Sequence, residues 1–147
     1  MQTGYKISDV MTNKPITVTP ETSVMDCALE MRKQDVGSLL IKQGENVIGI
    51  VTEQDIVRKT TTVALDVKNT PISEIMTTDM VTITRDKDVI DALVLMRDND
   101  IRHCPVREDG KLVGFVTLKD ILKIQPQLLE IVLEKQEIWG RNPEHID

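Results

Sequence analysis

Residues 49–55 read Gly-Ile-Val-Thr-Glu-Gln-Asp, and residues 114–120 read Gly-Phe-Val-Thr-Leu-Lys-Asp. The two stretches are 65 positions apart, and the same shift superposes residues 7–57 on residues 72–122 without a gap. Sixteen of these 51 pairs are identical. A self-match of this length identifies an internal repeat, so the chain contains two copies of one structural unit.

Each copy predicts the same order of secondary structure. A short helical or turn segment leads into β-branched residues that favour a strand, Ile16-Thr17-Val18 or Val81-Thr82-Ile83. A helix with apolar residues at i, i+4 and i+7 follows, then two short strands joined by a glycine-containing turn. A second helix starts at Thr52 or Thr117. The apolar helix positions are Val24, Ala28 and Met31 in one copy and Val89, Leu93 and Met96 in the other.

The predicted fold class is therefore α/β (α+β), with two pseudo-symmetric β-α-β-β-α repeats packed through their sheets, because one repeat alone is too small to bury its own sheet. The boundaries are residues 6–58 for repeat 1, 59–70 for a linker, 71–123 for repeat 2 and 124–147 for a C-terminal helix and tail. The helix is expected from Pro126 to Trp139. It either packs on its own module or docks a second subunit or a partner.

Composition narrows the classes of function. The formal net charge is −6, which argues against general nucleic-acid binding. The sequence shows neither a run of about 18 apolar residues nor a signal peptide, so we expect a cytoplasmic protein without a membrane span. Cys27 and Cys104 lack metal-type spacing and are expected as reduced thiols in a core. Aromatic residues make up 2%, so aromatic stacking is not expected to dominate ligand binding.

The repeated threonine and aspartate allow two compatible interpretations. Thr52 and Thr117 are typical helix N-caps, but a capping box prefers Glu or Gln to Asp55 and Asp120. Alternatively, a helix N-terminus with a threonine hydroxyl suits a phosphate, and a carboxylate one turn later can accept hydrogen bonds from a ribose diol. The copies differ at another polar pair, because Arg102-His103 occupies the positions of Gly37-Ser38. Both cationic side chains are natural donors to phosphate oxygens.

The repeat, the Met-Thr leaders at 11–12 and 76–77, the Ile-Arg-His-Cys-Pro-Val stretch at 101–106 and both Gly-x-Val-Thr-x-x-Asp stretches resemble the tandem cystathionine-β-synthase (CBS) domain pair, or Bateman module. The match covers residues 6–123. The resemblance implies a non-catalytic regulatory module that binds adenosine-type ligands, such as AMP, ADP, ATP or S-adenosylmethionine, in two clefts, each with residues from both repeats.

The resemblance also assigns residues to the clefts. In one cleft, Asp55 holds the ribose diol, Thr52 and the cations bind phosphate, and aliphatic side chains enclose the adenine; the further members are Met80, Val81, Arg102 and His103. The other cleft pairs Thr117 and Asp120 with Pro15, Ile16, Thr19, Gly37 and Ser38. Because this second cleft lacks the basic pair, it is expected to prefer a ligand of lower charge or to stay empty.

An enzyme would need an activated nucleophile or a metal cluster. His103 and Cys104 are adjacent in a strand, so their side chains point to opposite faces and do not form a dyad. We expect no catalytic residue, metal or cofactor besides the adenine-nucleotide ligand. The resemblance implies association with a second copy in a homodimeric disk, and an effector protein is the other expected partner. The alternative is a dimeric interaction scaffold that binds no nucleotide.

Overall fold

The computed structural model describes residues 2–131 and 133. Its elements confirm the predicted mixture of helices and strands. In chain order they are α1 (Ile7–Val10), β1 (Thr17–Val18), α2 (Val24–Gln34), β2 (Ser38–Gln43), β3 (Asn46–Thr52), α3 (Glu53–Thr60), α4 (Val89–Asn99), β4 (His103–Glu108), β5 (Lys111–Thr117) and α5 (Leu118–Ile124). Short 3-10 helices cover Thr61–Val63, Ile72–Glu74 and Pro126–Leu128.

The chain divides into two compact units. Unit 1 consists of Met1–Lys14 and Val81–Asp147, and unit 2 consists of Pro15–Met80. We call residues 7–12 and 72–77 the leaders of the two repeats. Each unit combines the main part of one repeat with the leader of the other, so the structural units differ from the sequence repeats.

The leaders are joined to their units by backbone hydrogen bonds. In unit 1, the amide of Thr12 donates to Phe115 O at 2.8 Å, and the amide of Phe115 donates to Thr12 O at 2.9 Å. In unit 2, Thr77 and Ile50 exchange the same pair of hydrogen bonds at 2.8 and 3.0 Å. Each leader thereby adds an antiparallel bridge to the last strand of its unit.

Unit 2 contains a three-stranded sheet in the order β1-β2-β3. Strands β2 and β3 are antiparallel and start their pairing at Ser38 and Thr52, whereas β1 pairs parallel to β2. The β2–β3 turn contains Gly44 at φ 60°, a left-handed conformation that costs glycine little. The core is aliphatic, apart from a buried cysteine, and contains Val24, Cys27, Met31, Leu39, Ile41, Val51, Ile72 and Ile75.

Unit 1 has only the antiparallel pair β4-β5 in the described part of the chain. The prediction of a strand at 81–83 is wrong, because this segment forms only a single parallel bridge, between Ile83 and Val106. In unit 2 the amide of Leu40 donates to Ile16 O at 3.2 Å. The residue equivalent to Leu40 is Pro105, which has no N–H, so the corresponding hydrogen bond to residue 81 cannot form.

The repeated amphipathic helices are confirmed at α2 and α4. In α4 all three predicted apolar residues are buried, whereas in α2 Val24 and Met31 are buried and Ala28 is half-buried. Each helix is followed by an aspartate in the left-handed conformation, at φ 55° and 53°. The core of unit 1 that packs on α4 is again aliphatic with one cysteine, and it contains Ile7, Ile83, Val89, Ala92, Leu93, Met96, Cys104, Val106, Val116, Ile121 and Leu128.

The segment predicted as a linker packs on unit 2. Thr60 and Thr70 are buried, and Leu65 and Val67 contact the core. The backbone carbonyls of Val67 and Thr70 accept hydrogen bonds from the first turn of α2, at 3.0 and 2.9 Å. The helical register of α3 reaches Thr60, so the connection begins later than the sequence predicts.

The C-terminal helix begins within the described residues. After the Pro126–Leu128 turn, residues 129–131 and 133 are helical. Leu128 is buried in the core of unit 1 and Ile131 packs against it, as expected for a helix on its own module. Leu129 and Leu133 remain 44% and 43% exposed. The rest of the predicted helix and tail, with Val132, Trp139 and His145, lies outside the described residues.

No helix in the described part of the chain has the length and apolar character needed to cross a membrane.

Candidate functional site

The first Thr-x-x-Asp stretch forms a complete capping box at the start of α3. The amide of Asp55 donates to Thr52 Oγ1 at 3.1 Å, and the amide of Thr52 donates to Asp55 Oδ2 at 3.0 Å. The shorter aspartate therefore closes the box, and the helix-cap interpretation is confirmed. The other carboxylate oxygen, Oδ1, lies 3.5 Å from Lys59 Nζ, which also donates to Ile75 O at 2.9 Å.

The second stretch repeats this geometry at the start of α5. The amide of Asp120 donates to Thr117 Oγ1 at 3.2 Å, and the amide of Thr117 donates to Asp120 Oδ2 at 3.1 Å. Position 124, equivalent to Lys59, is an isoleucine, so Asp120 has no counterpart of the lysine ion pair in the described part of unit 1. In both units the cap uses one carboxylate oxygen, and a carboxylate retains capacity for further donors.

In unit 2, Gly37 and Ser38 lie next to the first cap. Ser38 pairs with Thr52 across the β2–β3 hairpin, and the amide of Glu53 donates to Gly37 O at 3.0 Å. The Glu53 carboxylate lies against Gly37, since a Cβ at that position would be 3.1 Å from Glu53 Oε1. In the same unit, β1 is directly preceded by Pro15 and Ile16 and directly followed by Thr19.

In unit 1, Arg102 and His103 lie next to the second cap. His103 pairs with Thr117 across the β4–β5 hairpin, and the amide of Leu118 donates to Arg102 O at 2.9 Å. The His103 ring is stacked on Phe115, with ring centroids 6.1 Å apart. The chain passes from unit 2 to unit 1 between Met80 and Val81, so these two predicted site residues belong to different units.

These neighbours differ from the predicted groups. The sequence grouped Arg102 and His103 with Asp55, and Gly37 and Ser38 with Asp120. The structure places each pair next to the cap of its own repeat, inside one unit. Since the predicted clefts combine residues of both units, the clefts themselves stay a prediction.

The two cysteines face the cores of their units. Cys104 is fully buried, whereas its neighbour His103 lies on the opposite face of β4 with Phe115. Burial raises the pKa of the Cys104 thiol to about 12. Burial, with a smaller contribution from Asp26, raises the pKa of Cys27 to about 11. Both thiols therefore stay protonated at neutral pH and are poor nucleophiles.

An open surface groove of about 470 Å³ lies beside the second cap. It is lined by Arg102, Thr117, Leu118, Lys119, Leu122 and Lys123. Lys119 and Lys123 were missed by sequence reasoning. Their spacing of four along a helix that starts after Thr117 would have placed both on one face, which is the signal that could have identified them.

Within residues 2–131 and 133, no group of three or more His, Cys, Asp and Glu side chains could hold a metal ion.

Comparison with known proteins identifies the family. The CBS domain model matches residues 7–61 and again residues 72–126. The CBS domain-containing protein YhcV of Bacillus subtilis is 32% identical over 115 residues, which cover 78% of this chain and 81% of YhcV. An uncharacterised conserved protein from Pyrococcus horikoshii has a crystal structure that aligns with a TM-score of 0.78 at 34% identity, covering 84% of this chain and 94% of that one.

A further solved structure contains ligands. It is the CBS domain pair of protein MJ0100 in complex with 5′-methylthioadenosine and S-adenosyl-L-methionine. Its TM-score is 0.73 at 28% identity, and the match covers 82% of this chain and 98% of that chain. With two matches to the family model and relatives of this similarity, the chain belongs to the CBS domain family and carries two CBS domains in tandem.

Proposed function

We propose that this chain is a non-catalytic regulatory module that binds adenosine-type ligands and signals their presence to a partner protein. The observation that carries the proposal is the similarity to the MJ0100 domain pair, whose crystal structure contains two adenosine derivatives. AMP, ADP, ATP and S-adenosylmethionine belong to the same chemical class, because each presents an adenine and a ribose.

The arrangement at each cap supports a role in ribose binding. Asp55 and Asp120 are half-buried and fixed by their capping boxes, so their carboxylates do not need to be ordered when a ligand binds. The second oxygen of each group is able to accept a hydrogen bond from a ribose hydroxyl. A carboxylate that is already positioned loses little entropy on binding, which favours affinity.

The first test is a thermal-shift screen with AMP, ADP, ATP, S-adenosylmethionine and 5′-methylthioadenosine. A ligand present at 100 times its Kd stabilises the protein by about 2.7 kcal/mol. We expect at least one of the five to raise the melting temperature. If none does, the chain is an interaction scaffold without a nucleotide ligand, which is the alternative function.

The second test measures the ribose contact by titration calorimetry. Removing a hydrogen bond to a charged group costs roughly 1–3 kcal/mol, or about five- to 150-fold in affinity. We expect the 2′-deoxy form of the bound ligand to lose affinity in this range on the native chain. The difference between the ribose and 2′-deoxy ligands should disappear when the aspartate of the binding unit is replaced, by Asp55→Asn in unit 2 or Asp120→Asn in unit 1. In that variant the proposed partner of the 2′-hydroxyl is already changed. Equal affinity for the two forms would contradict the assignment.

We also propose that two copies associate and that an effector protein reads the ligand state. Exposed apolar side chains support an association surface on unit 2, since Val57 is 58% and Val63 is 66% exposed. Sedimentation velocity of the native chain is expected to show a dimer. Val57→Asp should weaken it, and Glu45→Lys, a charge change in the β2–β3 turn, serves as the control. A native chain that sediments as a monomer would contradict the association.

A further inference from the structure

We infer that Lys59 is a positioning residue that ties the Asp55 carboxylate to the leader 72–77, so that unit 2 passes a change at Asp55 to the leader of the second repeat. The described part of unit 1 lacks this connection, because the position equivalent to Lys59 is an isoleucine. The inference deepens the proposed function and rests on it in one step, the contact of a ribose hydroxyl with Asp55.

The connection consists of two contacts made by one ammonium group. Lys59 Nζ lies 3.5 Å from Asp55 Oδ1 and donates a hydrogen bond to Ile75 O at 2.9 Å. Asp55 is fixed at the same time by its capping box, in which Oδ2 accepts from the Thr52 amide. The Asp55 side chain is only 20% exposed, so salt screens this pair less than a pair in open solvent. Lys59 thereby joins the buried leader residue Ile75 to the carboxylate proposed to bind ribose.

The helix places Lys59 where it can make both contacts. It lies four residues after Asp55 in the last turn of α3, and residues four apart are neighbours on one face of a helix. Its side chain has a flexible four-carbon stem and three N–H donors. One ammonium group can therefore contact the carboxylate and the leader carbonyl at the same time.

The carbonyl that Lys59 contacts belongs to a peptide group with a measurable amide. This group joins Ile75 to Met76, and its N–H donates to Ile72 O at 2.9 Å. When Asp55 no longer attracts Lys59, the ammonium group is held less firmly at Ile75 O. The peptide group then opens more often, because it has lost part of its support. Exchange of the Met76 amide with solvent therefore reports the hold of Lys59 on the leader.

Unit 1 provides an internal control with the same backbone hydrogen bond. The Met11 amide donates to Ile7 O at 2.9 Å, the same distance as in unit 2. Asp120 also forms an equivalent capping box. The side chain of Ile124, however, cannot donate a hydrogen bond to a leader carbonyl. We therefore expect a change at Asp120 to leave exchange of the Met11 amide unaffected.

The experiment measures amide exchange of the full chain by NMR at neutral pH, without ligand. In Asp55→Asn, which keeps a capping oxygen but loses the charge, the Met76 rate should rise about two- to fivefold, the range for an exposed ion pair. Lys59→Met also removes the hydrogen bond to Ile75 O and should raise the rate about fivefold. Lys59→Arg keeps a charged donor and should restore most of the protection. The double variant Asp55→Asn/Lys59→Met should exchange no faster than Lys59→Met, because Asp55 acts through Lys59.

Three controls separate this effect from a general loss of stability. Lys33→Met removes an exposed lysine of α2 in the same unit and should leave the Met76 rate unchanged. Asp120→Asn makes the equivalent change in unit 1 and should leave the Met11 rate unchanged. The Leu40 amide, in the sheet of unit 2, serves as the reference, since a global effect would raise its rate as much as that of Met76.

Three results would overturn the inference. The first is an unchanged Met76 rate in Asp55→Asn, and the second is an equal rise at Met76 and Leu40. The third is a double variant in which the effects of Asp55→Asn and Lys59→Met multiply, because the two residues would then act independently.

A ligand arm connects the measurement to the proposed function. A ligand that loses affinity in Asp55→Asn should raise the Met76 rate in the native chain but not in Lys59→Met, because its hydroxyl competes with Lys59 for Oδ1. Binding of such a ligand without a change at Met76 would also overturn the inference. If none of the five screened ligands binds, the proposed function fails, while the exchange rates measured without ligand still decide the inference.

Discussion

The sulfur of Met11 packs directly over Gly114 in unit 1. A Cβ on Gly114 would lie 2.5 Å from Met11 Sδ and 3.1 Å from Thr12 O. The same relationship holds in unit 2, where a Cβ on Gly49 would lie 2.6 Å from Met76 Sδ and 3.2 Å from Thr77 O. The glycine of each repeated stretch is therefore required because a leader crosses the strand at close range.

This relationship predicts that Gly114→Ala destabilises the protein. The new methyl group displaces a methionine side chain and presses on a backbone carbonyl, and such overpacking costs about 1–3 kcal/mol. Gly49→Ala should have a similar effect. Urea unfolding followed by circular dichroism measures the free energy of unfolding for both variants.

The control for this prediction is Gly37→Ala. Its nearest neighbour would be the flexible tip of Glu53 at 3.1 Å, with no backbone atom within 4 Å among its nearest contacts. We expect a change below about 0.5 kcal/mol, as for ordinary surface substitutions. An unchanged midpoint for Gly114→Ala would show that the leader does not lie on this strand in solution.

The capping boxes predict a separate loss of stability for Thr52→Ala and Thr117→Ala. Each removes the oxygen that accepts the Asp55 or Asp120 amide, and loss of an N-cap costs about 1 kcal/mol. Thr→Ser at either position retains the hydroxyl and should recover most of the loss. Thermal unfolding of the six proteins, with Thr78→Ala as the exposed control, checks this. A serine variant as unstable as the alanine variant would contradict the role of the hydroxyl.

The sequence predicts the secondary-structure elements better than it predicts which elements pack against each other. The 65-residue shift and the helical periodicity locate α2 and α4, because these signals depend on residues close in the chain. A six-residue leader carries no such signal about which repeat it packs on. The exchange of leaders between repeats therefore emerges only from the hydrogen bonds of Thr12 and Thr77.

The candidate site was predicted in the same partial way. Thr52, Asp55, Thr117 and Asp120 were identified from their spacing, and their capping geometry is local. The position of Arg102 beside Thr117 follows from the pairing of the β4–β5 hairpin, which the sequence also indicates. The family resemblance, however, assigned Arg102 to the cleft that contains Asp55 of the other repeat. The single bridge at Ile83 depends on Pro105, whose missing N–H affects a strand 22 residues earlier in the sequence.

Burial of the thiols predicts their chemical reactivity. Because the pKa values of Cys27 and Cys104 are raised to about 11 and about 12, both remain protonated between pH 7 and pH 9. Folded protein should react with a thiol reagent at least about tenfold more slowly than protein unfolded in urea, where cysteine has a pKa near 8.5. Absorbance of the released chromophore measures both rates. Rapid modification of the folded chain would show that a core opens readily.

The final prediction concerns Asp88, which caps α4 and holds the N-terminal segment. Its Oδ2 accepts from the amides of Thr3 and Gly4 at 2.9 and 3.2 Å, and its Oδ1 accepts from the Thr3 hydroxyl and the Ile90 amide at 2.8 and 3.0 Å. Burial acts to raise the pKa of Asp88, but the hydrogen bonds from Ile90, Thr3 and Gly4 outweigh it and hold the pKa below its usual value.

A carboxyl group whose pKa is lower in the folded state stabilises the fold above its unfolded pKa, near 3.9, and loses this effect as pH falls through the folded pKa. Asp88→Asn retains a capping oxygen but loses the charge that strengthens the hydrogen bonds from Thr3, Gly4 and Ile90, so it should lower the free energy of unfolding at pH 7 by about 1 kcal/mol. The difference from the native chain should shrink as pH falls below about 4, because protonated Asp88 then resembles asparagine. Urea unfolding of the native chain, Asp88→Asn and the exposed control Asp79→Asn between pH 3 and pH 7 measures this. A native–variant difference that stays constant over the whole range would exclude the carboxylate charge as its source.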